Sequence, residues 1–185
     1  AYPANPDSEY GWEKLMSERL YLSYKRNYGL NVKIARYHNI FGPESTWKGG
    51  KEKAPAAICR KVAEAKEQDK IEIWGDGEQT RSFLYIDECL QAIILLMKSN
   101  YDKPINIGSE HLISINDLAQ KIISETDSKS EIVYVPYDEA YGDGFEDMER
   151  RVPNISLISQ LVGWRPQRNL STIISDISAE MKTNP

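Results

Sequence analysis

At 185 residues, 41% hydrophobic and 28% charged, the chain has the size and balance of one soluble globular domain, or of part of a larger one, with enough apolar residues to bury a core. Its 23 Lys and Arg against 28 Asp and Glu leave a net charge of -5, a field that repels polyanions and excludes nucleic acid as an expected partner. The two cysteines, Cys59 and Cys89, lie far apart with no Cys or His at metal-ligand spacing, which argues against a disulfide framework and a metal site and for a reducing, cytoplasmic setting.

The first predicted element is a helix over residues 8–28, where Leu15, Leu20, Leu22 and Tyr24 sit among charges, Asp7 or Ser8 is the N-cap and Gly29 the stop. Residues 32–37 alternate Val, Ile and Ala with Lys and Arg and predict a strand running into the loop Asn39-Ile40-Phe41-Gly42-Pro43. A Gly- and Lys-rich segment, 47–53, precedes a second helix over about 55–67, with Pro55 suited to its first turn. Residues 71–74 and 82–86 predict two strands placed to pair as a hairpin around the turn Gly75-Asp76-Gly77.

Asp87 is the expected N-cap of a third helix ending at Met97, and the apolar run inside it, 92–97, is much too short to span a bilayer. No basic-then-apolar leader opens the chain, so neither secretion nor membrane insertion is expected, and the lack of an initiator Met suggests a processed, truncated or incompletely represented chain. A short strand, 104–107, closes at Gly108 and Ser109. Ser114 with Asp117 three residues later resembles a capping box for a helix to Ser124, Asp standing where Glu is usual. Residues 132–135 predict another strand. The stretch 136–151, rich in Asp, Glu, Gly and Tyr, reads as a long surface loop of the kind that serves as a substrate lid. Two last helices, 155–162 and 170–181, complete an irregular α/β pattern without the steady alternation of a full doubly wound sheet. The expectation is an accessory domain plus one edge of a larger sheet.

Tyr10 and Lys14 are four apart on the first helix and share one of its faces. An ammonium beside a phenol favours the phenolate, which suits a base that takes a proton from a sugar hydroxyl. As a bare pattern Tyr-x-x-x-Lys is weak, because helices produce it by chance. Its surroundings are specific: Asn5-Pro6-Asp7-Ser8 before Tyr10-Gly11-Trp12-Glu13-Lys14, Arg36-Tyr37-His38-Asn39-Ile40-Phe41-Gly42-Pro43 at the end of the next strand, then Trp74-Gly75-Asp76-Gly77, Thr80-Arg81-Ser82-Phe83, Asn106-Ile107-Gly108 and Gly163-Trp164-Arg165-Pro166. In order and spacing these resemble the extended short-chain dehydrogenase/reductase family, in its NAD-dependent nucleotide-sugar epimerases and dehydratases, and the resemblance runs almost to the end of the chain.

What the resemblance implies is the C-terminal part of an NAD(P)-binding Rossmann-type α/β protein. Residues 1–43 would be a remnant of the Rossmann domain and 44–185 mainly a small α/β substrate-binding domain. It implies Tyr10 as catalytic tyrosine, Lys14 on the nicotinamide ribose, and Tyr10, Lys14 and Tyr37 as the cofactor side, with NAD as the cofactor. Asn39, Arg81 and Arg151 fall where the family contacts the substrate diphosphate, a role guanidinium forks suit. The segment Thr46-Trp47-Lys48-Gly49-Gly50-Lys51-Glu52-Lys53-Ala54-Pro55 is more similar to the GDP-mannose 3,5-epimerases than to UDP-galactose 4-epimerases. There the lysine aligned with Lys53 shares acid/base work with a cysteine, at carbons made acidic by transient oxidation at C4. Lys48, Lys51 and Lys53 also read as a solvated basic loop or as phosphate contacts. The loop Gly142-Asp143-Gly144-Phe145-Glu146-Asp147-Met148-Glu149-Arg150-Arg151 looks more like bacterial UDP-sugar epimerases or decarboxylases, which leaves GDP- and UDP-sugars both open as substrates.

His38 and His111 stand isolated and read as structural, while Tyr134, Tyr137 and Tyr141 read either as lining of a substrate pocket or, at least as often for aromatics after a strand, as packing. No glycine-rich dinucleotide fingerprint occurs, so the cofactor half is expected outside this chain and the chain alone is expected to be inactive. Cys59, inside a predicted helix, is not promoted to the epimerase's cysteine. The alternatives are a 4-epimerase, 4,6-dehydratase or decarboxylase of a UDP-sugar, and, in another class, a non-catalytic nucleotide-sugar-binding module. By resemblance, the first helix is expected to pair with its copy in a homodimer.

Overall fold

Ser8 lies in extended backbone, and its Oγ accepts the amide of Gly11 at 3.3 Å, satisfying one of the open N–H groups of helix α1 (Glu9–Tyr28). Gly29, at φ 69°, closes the helix in the left-handed region that a side chain disfavours. Cap, helix and stop fall where the sequence places them. The computed structural model describes residues 5–6, 8–43, 45–46, 49, 52–65, 70–141 and 150–183. Residues 142–149 of the lid expected over 136–151, and the residues Trp47, Lys48 and Lys51, lie outside that set.

The chain reverses through residues 29–33 into β1 (Ile34–Tyr37), which pairs in parallel with β6 (Pro104–Ile107), Ile34 opposite Pro104. This two-stranded parallel unit is the expected sheet edge. Ile40–Phe41, expected in a loop, forms a short strand, β2, parallel to β5 (Leu84–Tyr85). Helix α2 (Ala54–Glu64) begins with Pro in its first turn and buries Ile58, Cys59 and Val62.

The hairpin expected around Gly75-Asp76-Gly77 is not formed. Strand β3 (Lys70–Trp74) pairs in parallel with β8 (Glu131–Val135), while β4 (Thr80–Ser82) pairs with β7 (Leu112–Ser114) and with β9 (Arg150–Arg151). The turn separates two sheets instead of joining two strands. Its amide at Gly75 donates to Val135 O at 2.8 Å, which extends the β3–β8 ladder by one bond.

Asp87 is not the cap of α3 (Ile86–Lys98). Tyr85 occupies that position without a side-chain bond, and Asp87 lies in the first turn, where a carboxylate complements the helix dipole. Ser114 does cap α4 (Ile115–Glu125), accepting the Asp117 amide at 2.9 Å. The supposed loop after β8 opens with a helical turn, α5 (Tyr137–Tyr141). Helices α6 (Ser156–Val162) and α7 (Leu170–Thr183) close the chain.

Two apolar cores result. One gathers α2, β3, α4 and α7 around Phe41, Ile71, Leu118, Ile122 and Ile174; the other lies under β1 and β6, where Leu84, Ala92, Ile107, Ile158 and Trp164 meet. Glu88, at the base of α3, ties the second core to the segment before α7: its Oε1 accepts the amides of Gln167 and Arg168. Among the described residues no helix is long and apolar enough to cross a membrane.

Candidate active site: a cationic cleft at the start of the second helix

A cleft of about 390 Å³ opens where the N-terminal end of α2 faces the ends of β3 and β4. Asn39, Lys53, Arg81 and Arg151, singled out from the sequence, all line it. Each arrives on a different element. Asn39 follows β1 in a left-handed conformation (φ 46°) that Asn tolerates, and its Nδ2 donates to Ser82 O at 3.0 Å. That bond fastens the end of β1 to the strand carrying Arg81. Arg151 pairs directly opposite Arg81 in the parallel β4–β9 register, so both guanidinium groups come from adjacent strands. Lys53 is the N-cap residue of α2, placing its ammonium beside the positive end of the helix dipole.

The remaining walls add Arg60 and Lys61 from the next turns of α2 and the carboxylates Glu52 and Glu72. Arg60 bonds Glu52 at 3.3 Å and Glu64 at 2.8 Å. Five cationic side chains against two carboxylates, beside a helix N-terminus, make a cavity whose chemistry favours a polyanion such as a diphosphate. Lys61 donates to Glu72 O at 2.8 Å and sits 5.7 Å from the centre of the Trp74 ring. Burial holds its ammonium below its usual pKa, opposed by Glu72.

Sequence reasoning passed over Lys61 and Gln79, held Trp74 in a family motif without a role, and left Tyr137 between pocket lining and packing. Tyr137 is both: its ring covers Gly75, and its hydroxyl accepts from Gln79 Nε2 at 2.8 Å on the cleft wall. The Gln79 Oε1 is buried without a hydrogen-bond partner among the described residues. The one signal for Gln79 was its place between the Trp74-Gly75-Asp76-Gly77 turn and Arg81.

Tyr10, Lys14 and Tyr37 are not part of the cleft. Tyr10 and Lys14 share a face of α1, with the Lys14 Nζ 4.9 Å from the Tyr10 ring centre, and Tyr10 is 69% exposed. Tyr37 ends β1, two residues before Asn39, and partial burial, then Cys89, raise its phenol above its ordinary pKa and keep it a donor. Between them His38 donates its amide to Ile107 O at 3.0 Å. Burial lowers its imidazole pKa, the Asn106 bond opposes this, and Arg151 and Arg36 add to the lowering. Cys59 is 2% exposed and burial pushes its thiol up to about 12, which suits a core residue and not a proton-transfer partner for Lys53.

Residues 1–108 match the NAD dependent epimerase/dehydratase family. Over 92% of its length the chain is 43% identical to the GDP-mannose 3,5-epimerase of Arabidopsis thaliana, of which it covers 43%. It is 37% identical, over 83% of its length, to a UDP-N-acetyl-alpha-D-glucosaminuronate decarboxylase of Bacillus cytotoxicus, of which it covers 46%. Among solved structures it superposes on 55% of the UDP-glucose 4-epimerase of Thermotoga maritima, determined with UDP-glucose, with a TM-score of 0.85, 25% identity and 97% of this chain covered. The chain therefore spans less than half the length of these curated relatives. Its strands and helices form the corresponding portion of a Rossmann-type extended short-chain dehydrogenase/reductase. By family match, by sequence identity and by fold, the chain belongs to the NAD-dependent epimerase/dehydratase family.

Proposed function

We propose that the protein carrying this chain is a nucleotide-sugar epimerase working in the manner of a GDP-mannose 3,5-epimerase, with residues 1–43 contributing its proton-transfer helix and residues 44–185 mainly its substrate domain. The observation that carries this reading is the convergence of Asn39, Lys53, Arg81 and Arg151 on one cationic cleft. In it, Arg81 and Arg151 hold the diphosphate from neighbouring strands, and Asn39 sets the distance between that anchor and the end of β1. Trp74, Tyr137 and Gln79 supply the planar surface and hydrogen-bonding groups that a nucleobase takes.

The residues of α1 and β1 fit one end of a dinucleotide. The exposed Lys14 ammonium, the Tyr10 hydroxyl and the Tyr37 hydroxyl are donors suited to the nicotinamide ribose. The chain has no glycine-rich turn for the pyrophosphate. Held by these residues, NAD would supply reversible hydride chemistry at sugar C4. Tyr10 takes and returns the proton of the sugar hydroxyl, while Lys14 holds the ribose. Lys53 moves a proton at a sugar carbon beside the oxidised centre.

The test is isotopic. The full-length enzyme in deuterated solvent should incorporate deuterium at sugar C3 or C5, and Lys53→Met should abolish that exchange while oxidation at C4 survives. Deuterium at neither carbon in the unmutated enzyme rules out the 3,5-epimerase reading. The second reading, a UDP-sugar 4-epimerase, 4,6-dehydratase or decarboxylase, rests on the likeness of the 142–151 loop to bacterial UDP-sugar relatives and would then stand. The protein is taken as cytoplasmic and as a homodimer paired through α1.

A further inference from the structure

Helix α1 has no buried residue over its 20 positions, yet it carries Tyr10 and Lys14, whose placement decides the reaction proposed above. Its apolar contact with the rest of the described residues is partial, with Leu15 and Leu22 only half-buried, and two ion pairs add fixed points. The Arg36 guanidinium grips the Glu18 carboxylate as a two-pronged fork, Nε to Oε1 and Nη2 to Oε2, both at 2.6 Å. Both side chains are mostly shielded, at 13% and 29% exposure. Near the other end of the helix, Lys25 pairs with Asp102, just before β6. A second tie at that position means that α1 runs opposite to β1 and β6, so that its N-terminal half extends past their carboxyl ends.

The spacing is informative. Glu18 follows Tyr10 and Lys14 at intervals of four and lies on the same helix face. At about 1.5 Å per residue, Tyr10 stands roughly 12 Å beyond the fork along the helix. Along the chain, Asn39 lies three residues beyond Arg36 and two past the end of β1. The fork is therefore a common origin from which the phenol and the cleft's edge are both reached, on the side of the carboxyl ends where ligands of such sheets bind. A bidentate guanidinium–carboxylate pair fixes orientation as well as distance, which a single contact does not.

We propose that Glu18 and Arg36 are a positioning pair: they set how far α1 reaches over the sheet and so align the Tyr10 hydroxyl with a sugar anchored in the cleft. The pair touches neither substrate nor cofactor. The inference rests on the reading of Tyr10 as the proton-transfer group, and Tyr10→Phe in the same series separates the two.

The experiment is steady-state kinetics of the full-length enzyme with Glu18→Gln, which keeps the shape and removes the charge, and Arg36→Lys, which keeps the charge and removes the fork. Each should lower kcat by about 10-fold or more with KM for the nucleotide sugar changed by less than about 2-fold, because the cleft is untouched. The inflection of kcat against pH should not move, since Tyr10 and Lys14 ride on the same helix and keep their mutual distance. A kcat per folded molecule equal to the unmutated enzyme's overturns the proposal, even where the unfolding temperature falls, because the pair is then only structural. A moved inflection with kcat retained at its optimum also overturns it, in favour of a through-space charge effect. Should Glu18→Gln fail to fold, Arg36→Lys decides alone by the same criteria. Tyr10→Phe should lower kcat by about 100-fold or more. Near-normal turnover there defeats the reading of Tyr10, whereas an inactive Tyr10→Phe beside a fully active Glu18→Gln defeats only the positioning role.

Discussion

His38 has an imidazole half-buried between the sheet edge and the cleft, with Arg36 and Arg151 near enough to disfavour its charge. Its Nδ1 has no hydrogen-bond partner among the described residues. Its folded pKa lies below the unfolded value near 6.5, and burial is the largest cause. Above the unfolded value the ring is neutral in both states and contributes no pH dependence. As pH falls through it, the unfolded chain binds a proton that the folded chain resists, so stability is lost on acidification. Urea denaturation at pH 7.5 and 5.5 should show a smaller loss between the two for His38→Gln than for the unmutated protein. Equal losses would mean that His38 does not carry this acid sensitivity. The buried thiols make a second check at this scale: with Cys59 pushed to about 12 and Cys89 to about 11 by burial, a disulfide reagent near neutral pH should modify neither until the protein unfolds.

At the scale of elements, the turn after β3 shows how one backbone conformation shapes the cleft. Gly75 has φ 75°, and a Cβ there would come within 2.5 Å of the Tyr137 ring. Gly75→Ala strains the backbone by about 1 kcal/mol and must also push Tyr137 off the wall it shares with Gln79. It should therefore weaken nucleoside diphosphate binding in calorimetric titration more than it lowers stability in urea. Unchanged binding would remove Tyr137 from the ligand's surroundings.

The same turn marks where the sequence stops being informative. Caps and stops are local, so Ser8, Gly29 and Ser114 announce their helices, and short runs of β-branched and aromatic residues mark 71–74 and 132–135 as strands. Nothing local says that these two pair with each other across some sixty residues rather than with the nearer segment at 82–86, because parallel partners share no turn. For the site, Asn39, Lys53, Arg81 and Arg151 were carried by motifs that sit at element ends. Trp74, Lys61 and Gln79 acquire meaning only when β3, α2 and the segment before β4 converge, which is a property of the two-core packing and not of any short stretch.

The whole molecule presents a helix whose two long rows have different uses. Tyr10, Lys14 and Glu18 form one row, held at Glu18 by the Arg36 fork. In a second row Trp12, Met16, Leu20, Tyr24 and Tyr28 recur every four residues and all are largely exposed, Met16 at 69%. A ridge at i, i+4, i+8 is the unit with which helices interlock, and an apolar ridge of this length on water is unfavourable unless covered. The proposed homodimer would cover it with the same ridge of a second copy about a two-fold axis, and the basic and acidic residues flanking the row leave room for complementary contacts at its rim. Met16→Glu places a charge on the ridge that such pairing would bury. In the full-length protein it should convert a dimer into a monomer in sedimentation at micromolar concentration, with catalytic residues left unsubstituted. Because the ridge and the Tyr10 row belong to one helix, turnover per subunit should fall at protein concentrations where the variant is monomeric and recover at concentrations that restore the dimer. A full-length protein that is monomeric without the substitution, or a Met16→Glu variant that remains dimeric, would assign the ridge to contacts within one subunit instead.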